Sequence, residues 1–150
     1  MVVPSLKARA LRYLSQREHS RLELRRKLAR HTEEPDTLDA LLDELETRGW
    51  LNSQRFAESF IHRRANKLGT SRILAELKQH AIGPDLLGQA QQALQGSEMA
   101  RAQAVWQKRF GESASSAQER AKQIRFLQNR GFSHDIISQV LKYRIAHEES

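Results

Sequence analysis

Apolar residues recur every three or four positions along most of this 150-residue chain. Leu24 and Leu28, and then Leu38, Leu41 and Leu45, fall at spacings that place an apolar stripe along one face of an α-helix. No stretch alternates apolar and polar residues for long, and no Asn-Gly or Asp-Gly hairpin turn occurs. The pattern therefore predicts an all-α fold.

The same pattern occurs three times. A shift of 49 residues superimposes seven positions of one segment on seven of the next, including two of the three prolines, Pro35 and Pro84. A further shift of 50 residues gives a third copy. This copy is looser, because Gln123 stands where the second has Ile73 and His134 stands where it has Pro84. Self-similarity at this period is typical of repeat proteins.

Each copy is predicted to hold three short helices. Proline suits the first helical position, Ser20 with Glu23 forms a capping box, and Gly83 and Ser133 are expected N-caps. The predicted helices cover residues 6–16, 20–29 and 35–47 in the first copy, 53–67, 70–80 and 84–95 in the second, and 99–110, 117–129 and 134–144 in the third.

Helices of about 12 residues are marginally stable alone. We therefore expect their apolar faces to pack within each copy and against the next copy, forming a continuous hydrophobic spine. Trp50 and Trp106 are expected to contribute packing, although an exposed Trp50 would be an interface anchor. The predicted fold is all-α, with three tandem three-helix repeats forming an elongated, curved helical array. The repeats are expected to cover residues 1–50, 51–96 and 97–150.

Charge is unevenly distributed along the chain. The 25 Lys and Arg residues against 18 acids give a net charge of +7, which favours an anionic partner such as nucleic acid. Residues 1–30 carry nine bases and two acids, whereas residues 31–60 carry two bases and eight acids. That acidic stretch is unnecessary in a purely DNA-binding surface, but a protein partner with patches of both signs would use it.

Basic residues on predicted helices are the candidate contacts with a partner. Arg25, Arg26 and Lys27 flank core leucines, so we expect them to project outward. The full candidate set is Arg25, Arg26, Lys27, Arg63, Arg64, Lys67, Arg72, Lys78, Arg125 and Arg130. The alternative interpretation is that these bases only solvate the helices or, for Arg125 and Arg130, form local ion pairs with Glu119 or Asp135.

Motifs of catalysis and cofactor binding are missing. The chain has no phosphate-binding Walker loop, no Gly-x-Gly-x-x-Gly and no Gly-x-Ser-x-Gly. It has no cysteine, which excludes disulfides and thiolate chemistry, and no histidine pair at the spacing of a helical zinc site. We therefore expect a non-enzymatic protein without a metal or cofactor. The lack of a long apolar run predicts a soluble, cytoplasmic protein without a membrane partner.

Four segments in order resemble the RecX family of bacterial regulatory proteins: Ser20-Arg-Leu-Glu-Leu-Arg-Arg-Lys-Leu28, Arg55-Phe-Ala-Glu-Ser-Phe-Ile-His-Arg63, Arg72-Ile-Leu-Ala-Glu-Leu77 and Arg125-Phe-Leu-Gln-Asn-Arg-Gly-Phe-Ser133. The resemblance extends over almost the whole chain. It implies three tandem three-helix repeats and a partner, the RecA recombinase and its filament on single-stranded DNA. It also implies that the protein restrains ATP hydrolysis, strand exchange and the co-protease activity that drives the SOS response.

Two other functions remain open at this point. The short basic helices could form a direct DNA-binding module without a RecA partner, or the array could be a scaffold for an unrelated protein. We expect a monomer whose contact with DNA alone is at most weak.

Overall fold

The structure, a computed structural model, describes residues 2–148, with side chains described for residues 2–142. Within those residues it contains nine α-helices and no strand. We number them α1 to α9 in chain order: Leu6–Gln16, Arg21–Ala29, Pro35–Thr47, Ser53–Arg64, Thr70–Gln79, Pro84–Gln95, Glu98–Arg109, Ala117–Asn129 and His134–Glu148. We call α1–α3 module 1, α4–α6 module 2 and α7–α9 module 3.

Local sequence signals explain where most helices begin. The Ser20 hydroxyl accepts the Glu23 N–H, and the Ser116 hydroxyl accepts the Glu119 N–H, so both serines are N-caps. Gly83 precedes Pro84 as the N-cap of α6, as predicted. The capping boxes are only half formed, because the Glu23 carboxylate binds Arg17 instead of returning to the Ser20 N–H.

The C-terminal ends of two helices depart from the prediction by more than one residue. Helix α4 ends at Arg64, three residues before the predicted end, because the carbonyls that follow bind a side chain from module 3. Helix α9 continues to Glu148, four residues beyond its predicted end.

The hydrophobic core is divided into three clusters, one in each module. Extensive helix packing occurs only between helices of the same module. Equivalent positions of the repeat play equivalent parts, since Leu28, Leu77 and Leu127 are each fully buried in their own cluster. The prediction of a continuous hydrophobic spine is therefore wrong, because the contacts between modules are mainly polar.

One of the differences in the looser third copy is a buried polar residue. Gln123, which replaces Ile73 of module 2, is 5% exposed. Its side-chain oxygen accepts the Trp106 indole N–H at 3.0 Å, and its amide nitrogen donates to the Glu112 carbonyl at 3.1 Å. A buried amide is tolerated here because it is hydrogen-bonded at both ends.

The molecule is elongated, as predicted. Its accessible surface is 9721 Å², whereas a compact monomer of 17.3 kDa would expose about 7,800 Å². Hydrogen bonds link module 1 to module 2 and module 2 to module 3, and none joins module 1 to module 3 among the described residues. The three modules thus follow one another as a tandem array.

Candidate binding surface

Module 1 neutralises most of its own charge. Arg21 donates to Asp43 at 2.7 Å and to Glu46 at 2.9 Å, and Lys7 donates to Glu44 at 2.9 Å. The hydrogen bond from Lys7 holds the pKa of the Glu44 carboxyl below its ordinary value. The acidic residues of α3 from Asp39 to Glu46, which sequence reasoning assigned to a basic partner or to solvent, are therefore paired with bases of their own module.

The three candidate bases of α2 have different surroundings. Arg25 donates to Asp39 of α3 at 3.0 Å. The Lys27 ammonium lies 2.8 Å from His19 Nε2 and 4.8 Å from the centroid of the Tyr13 ring. Only Arg26 is exposed and forms no ion pair with a described carboxylate.

The candidate bases of module 2 also include some that are bound within the molecule and some that are exposed. Arg64 holds Glu76 by two hydrogen bonds, at 2.7 and 3.1 Å, and Arg72 donates to the Asn129 carbonyl of module 3 at 2.6 Å. The other three bases are exposed and form no ion pair with a described carboxylate; they are Arg63, Lys67 and Lys78.

Both candidate bases of module 3 lack the local ion pairs that sequence reasoning had considered. Arg125 is exposed, and the Arg130 guanidinium lies 5.0 Å from the centroid of the Phe126 ring. The Glu119 carboxylate instead accepts the N–H and hydroxyl of Ser115 at 2.9 and 2.8 Å, and these bonds hold its pKa below its ordinary value.

A groove of about 570 Å³ lies between module 2 and module 3. Four cations line it: Lys67 and Arg130, which the sequence predicted, and Lys108 and Arg109, which it did not. No acidic residue lines it, and its apolar surface comes from Ala104, Val105 and Phe126. Lys108 and Arg109 were overlooked because nothing local marks them. They join the other two cations only when the C-terminal end of α7 packs beside the end of α4.

A half-buried arginine that sequence reasoning also missed connects the same two modules. The Arg101 guanidinium of α7 donates to three carbonyls of module 2, those of Ala65 at 3.1 Å, Leu68 at 2.6 Å and Leu94 at 3.2 Å. It also donates to the hydroxyls of Thr70 and Ser97, each at 3.0 Å. Burial lowers the pKa of Arg101, and the charge of Glu98 opposes that effect. Five bonds use all five donors of this side chain.

Backbone contacts close the junction between modules 2 and 3. The Gly69 N–H donates to the Arg130 carbonyl at 2.7 Å, and the Ser71 hydroxyl donates to the Gly131 carbonyl at 2.8 Å. The positive end of α5 therefore meets the negative end of α8, which is a favourable arrangement of helix dipoles. A Cβ at Gly69 would overlap the Gly131 carbonyl, and one at Gly131 would overlap the Arg72 side chain.

A histidine of module 2, His80, crosses the junction to module 1, where a second histidine, His19, is buried next to Ser20. The His80 ring packs on Phe56, with centroids 4.8 Å apart, and its Nδ1 lies 2.8 Å from the Ser20 hydroxyl. His19 is 1% exposed and places Nδ1 3.0 Å from the Arg17 carbonyl, so Nδ1 carries the proton and Nε2 accepts from Lys27. Burial lowers the pKa of both His19 and His80.

The two tryptophans differ in exposure. Trp106 is fully buried, as expected, but Trp50 is 40% exposed. Lys7 Nζ and the Arg48 guanidinium carbon lie 5.7 and 5.2 Å from the centroid of the Trp50 ring. The expectation that Trp50 belongs to the core is therefore wrong.

The described part of the chain offers neither a metal cluster nor a membrane-spanning helix. Over residues 2–148, no cluster of three or more His, Asp or Glu side chains could hold a metal ion. No helix in that range is long and apolar enough to cross a bilayer.

Three family models match the chain in succession. They describe the first, second and third three-helix domains of RecX, and they match residues 7–45, 52–90 and 97–141. The chain belongs to the RecX family. The resemblance inferred from four sequence segments is thereby confirmed, and so are the three tandem three-helix repeats.

Proteins named Regulatory protein RecX are close relatives in sequence. The one from Ralstonia nicotianae is 57% identical over 138 residues, which are 92% of this chain and 87% of the relative. The one from Herminiimonas arsenicoxydans is 54% identical over 97% of this chain and 96% of its own length.

Solved structures of RecX proteins share the fold. The crystal structure of RecX from Lactobacillus salivarius superimposes with a TM-score of 0.77 at 20% identity, covering 94% of this chain and 95% of the other. At that identity the likeness extends to the arrangement of helices and not to individual surface side chains.

Proposed function

We propose that this RecX-family protein binds the RecA recombinase and its filament on single-stranded DNA, and that it restrains RecA without catalysing a reaction. The restrained activities are ATP hydrolysis, strand exchange and the co-protease activity of the SOS response. The observation that carries the proposal is 57% identity, over 92% of the chain, to a protein named Regulatory protein RecX.

The arrangement of the modules supports binding to a polymer. An elongated array of three modules can contact several subunits of a filament at once, and the linked contacts strengthen one another. A protein lying along the filament would obstruct the incoming duplex or the closing of ATP sites between RecA subunits. Such a protein acts as a monomer in the cytoplasm, where RecA and its DNA are found.

Six candidate cations are the proposed contacts with RecA or DNA phosphates, because they form no ion pair with a described carboxylate: Arg26, Arg63, Lys67, Lys78, Arg125 and Arg130. The other four, Arg25, Lys27, Arg64 and Arg72, are engaged within the molecule. We assign these four primarily to the stability of the array.

The test is the single-strand-dependent ATPase and strand exchange of the cognate RecA. Purified protein, added at or below the concentration of RecA, is expected to slow both activities. Unchanged ATP hydrolysis and unchanged strand exchange at a stoichiometric amount would contradict the proposal.

Direct binding to DNA without RecA is the second candidate function, and the six uncommitted cations favour it. Its affinity would fall steeply as salt increases, because neutralised phosphates release counterions. Gel-shift titrations with single-stranded DNA over a range of salt concentrations test it. Tight binding that does not strengthen when RecA coats the DNA would favour this function over the first.

A further inference from the structure

The groove between modules 2 and 3 combines a rim of cations with an apolar wall. The proposed function does not by itself require this combination. Its rim carries Lys67, Lys108, Arg109 and Arg130, and its wall includes apolar surface from Val105. No carboxylate lines the groove, so four positive charges face the same space without compensation from its walls. Its volume of about 570 Å³ is within the range of sites that hold a ligand or a short peptide segment.

Two of the four cations, Arg109 and Arg130, are held against an aromatic ring before anything binds. The guanidinium carbons of Arg109 and Arg130 lie 5.6 and 5.0 Å from the centroid of the Phe126 ring. The Phe110 ring meets Phe126 edge-on at 5.4 Å. Guanidinium groups stacked in this way lose less freedom when they bind a carboxylate by two parallel hydrogen bonds.

The walls of the groove also have a fixed relative position. Lys67 follows α4 in the turn whose carbonyls bind Arg101, and Arg130 ends α8 where its carbonyl accepts the Gly69 N–H. Lys108 and Arg109 lie on α7, the helix that also carries Arg101. The two modules therefore hold the backbone segments that carry the four cations in one fixed arrangement, which lowers the entropic cost of binding.

Two kinds of polyanion could enter the groove, single-stranded nucleic acid and an acidic peptide segment. The chemistry of its walls distinguishes between them. Single-stranded nucleic acid usually binds by stacking bases on aromatic rings, but the Phe126 ring is already contacted by two guanidiniums and by Phe110. A base could stack there only by displacing them. The apolar surface of Ala104 and Val105 matches an aliphatic side chain better than a sugar or a phosphate.

We propose that this groove is a docking site for an acidic segment of a partner protein, in which one apolar side chain lies against Val105 and Phe126 and the flanking carboxylates pair with the four cations. The inference deepens the proposed function and rests on it only for the identity of the partner. The groove itself is complementary to any segment of this chemistry.

The test uses the full-length protein without RecA. The probe is a short fluorescein-labelled peptide that carries one leucine flanked by Asp and Glu residues, and its binding is followed by fluorescence anisotropy. The same peptide with serine in place of leucine measures the apolar contribution, and labelled oligothymidylate is the nucleic-acid alternative. We expect the leucine peptide to bind more tightly than either of these.

Two variants remove the site by different routes. The double substitution Lys108→Glu and Arg109→Glu reverses two cations of the rim, and Ala104→Glu places a carboxylate on an exposed wall position. Each is expected to weaken peptide binding by about tenfold or more. The matched control, Lys122→Glu with Lys142→Glu, makes the same change in net charge as the double substitution of Lys108 and Arg109, but at exposed positions outside the groove. It is expected to bind the peptide nearly as well as the unmodified protein.

Several results would overturn the inference. Equal peptide affinity of the groove variants and the control would show that binding depends only on net charge. Equal affinity for the serine peptide would remove the apolar contact. Tighter binding of oligothymidylate, lost in both groove variants, would make the groove a nucleic-acid site. The peptide assay contains no RecA, so its result is independent of the ATPase test of the proposed function. Absence of peptide binding would not affect an observed inhibition of the RecA ATPase, and absence of that inhibition would not affect observed peptide binding. Far-UV circular dichroism and thermal melts of all variants verify that they fold.

Discussion

Arg101 shows how one side chain can replace a hydrophobic interface. Its guanidinium joins α7 to the C-terminal ends of α4 and α6, where the terminal carbonyls carry the negative ends of the helix dipoles. A cation at that position satisfies backbone acceptors and compensates partial charge at once. The junction therefore depends on an arginine that no local motif distinguishes from the solvated arginines around it.

We predict that Arg101→Ala lowers the free energy of unfolding by about 2–4 kcal/mol, because three carbonyls lose a charged donor. Arg101→Lys is expected to cost less than Arg101→Ala but to remain destabilising, since an ammonium cannot reproduce the five-donor fork. Urea titration followed by circular dichroism measures both variants.

The matched control is Arg125→Ala, which removes an exposed arginine that forms no ion pair with a described residue. Its free energy of unfolding should lie within about 0.5 kcal/mol of the unmodified protein. Equal effects at positions 101 and 125 would contradict the assignment of Arg101.

At the scale of elements, the ends of helices hold the array together. The N-terminal end of α5 lies on the C-terminal end of α8, and only glycine allows the two backbones to approach so closely at Gly69 and Gly131. Gly131 also has a φ of +93°, a conformation that L residues rarely adopt.

We predict that Gly69→Ala destabilises the protein by roughly 1–3 kcal/mol, because the added methyl group overlaps the Gly131 carbonyl and separates the two helix ends. Gly88→Ala is the control, since Gly88 is within α6 and a Cβ there meets nothing within 4 Å. It should stabilise the protein by about 0.5–1 kcal/mol through helix propensity. The melting temperatures of the two variants should therefore move in opposite directions, and a shared direction would argue against the close contact.

The elements themselves could be predicted from the sequence because their signals are local. Ser20, Pro35 and Ser116 mark helix starts within one turn, and the leucine spacing marks the buried faces. The contacts that assemble the modules are not local: Ser20 meets His80, and Arg72 meets Asn129, across about 60 residues of chain. Such pairs depend on how whole modules pack, so neither the division of the core nor the cationic groove could be anticipated from the sequence.

At the scale of the whole molecule, the two junctions differ in chemistry. Modules 2 and 3 are joined by bonds to a permanently charged arginine, whereas the junction of modules 1 and 2 contains His80, which contacts Ser20 beside the buried His19 of module 1. Burial lowers the pKa of both histidines. The unfolded chain therefore takes up protons at these histidines at a higher pH than the folded chain does.

We predict that the protein loses stability as the pH falls below about 6.5, the ordinary pKa of histidine. Between pH 7.5 and 5.5 the free energy of unfolding should decrease, because burial lowers the pKa of His19 and His80 in the folded state and the unfolded state therefore takes up protons at them more readily. The Glu23 carboxyl does not mask the effect, because the hydrogen bond from Arg17 and the charges of Arg17 and Lys27 hold its pKa below its ordinary value despite burial.

Urea titrations at the two pH values measure this dependence. The double variant His19→Gln and His80→Gln should be less stable at both pH values and nearly insensitive to pH in this window. His62→Gln, at an exposed position of α4, should keep the full dependence. An unchanged slope in the double variant would refute the role given to the junction histidines.

The distribution of charge over the whole molecule also bears on function. Module 1 pairs its acidic helix with its own bases, so the uncommitted cations lie chiefly on modules 2 and 3. If the array grips a RecA filament, these modules should contribute most of the electrostatic part of binding.

The most direct test of this account is the affinity of the fluorescently labelled protein for single-stranded DNA with and without a coat of the cognate RecA, measured by anisotropy at the same salt concentration. We predict weak binding to bare DNA and binding at least about tenfold tighter to the filament, with the difference reduced by Arg63→Glu and Lys67→Glu together. Equal affinity for bare and RecA-coated DNA would contradict the central claim that this elongated array recognises the filament.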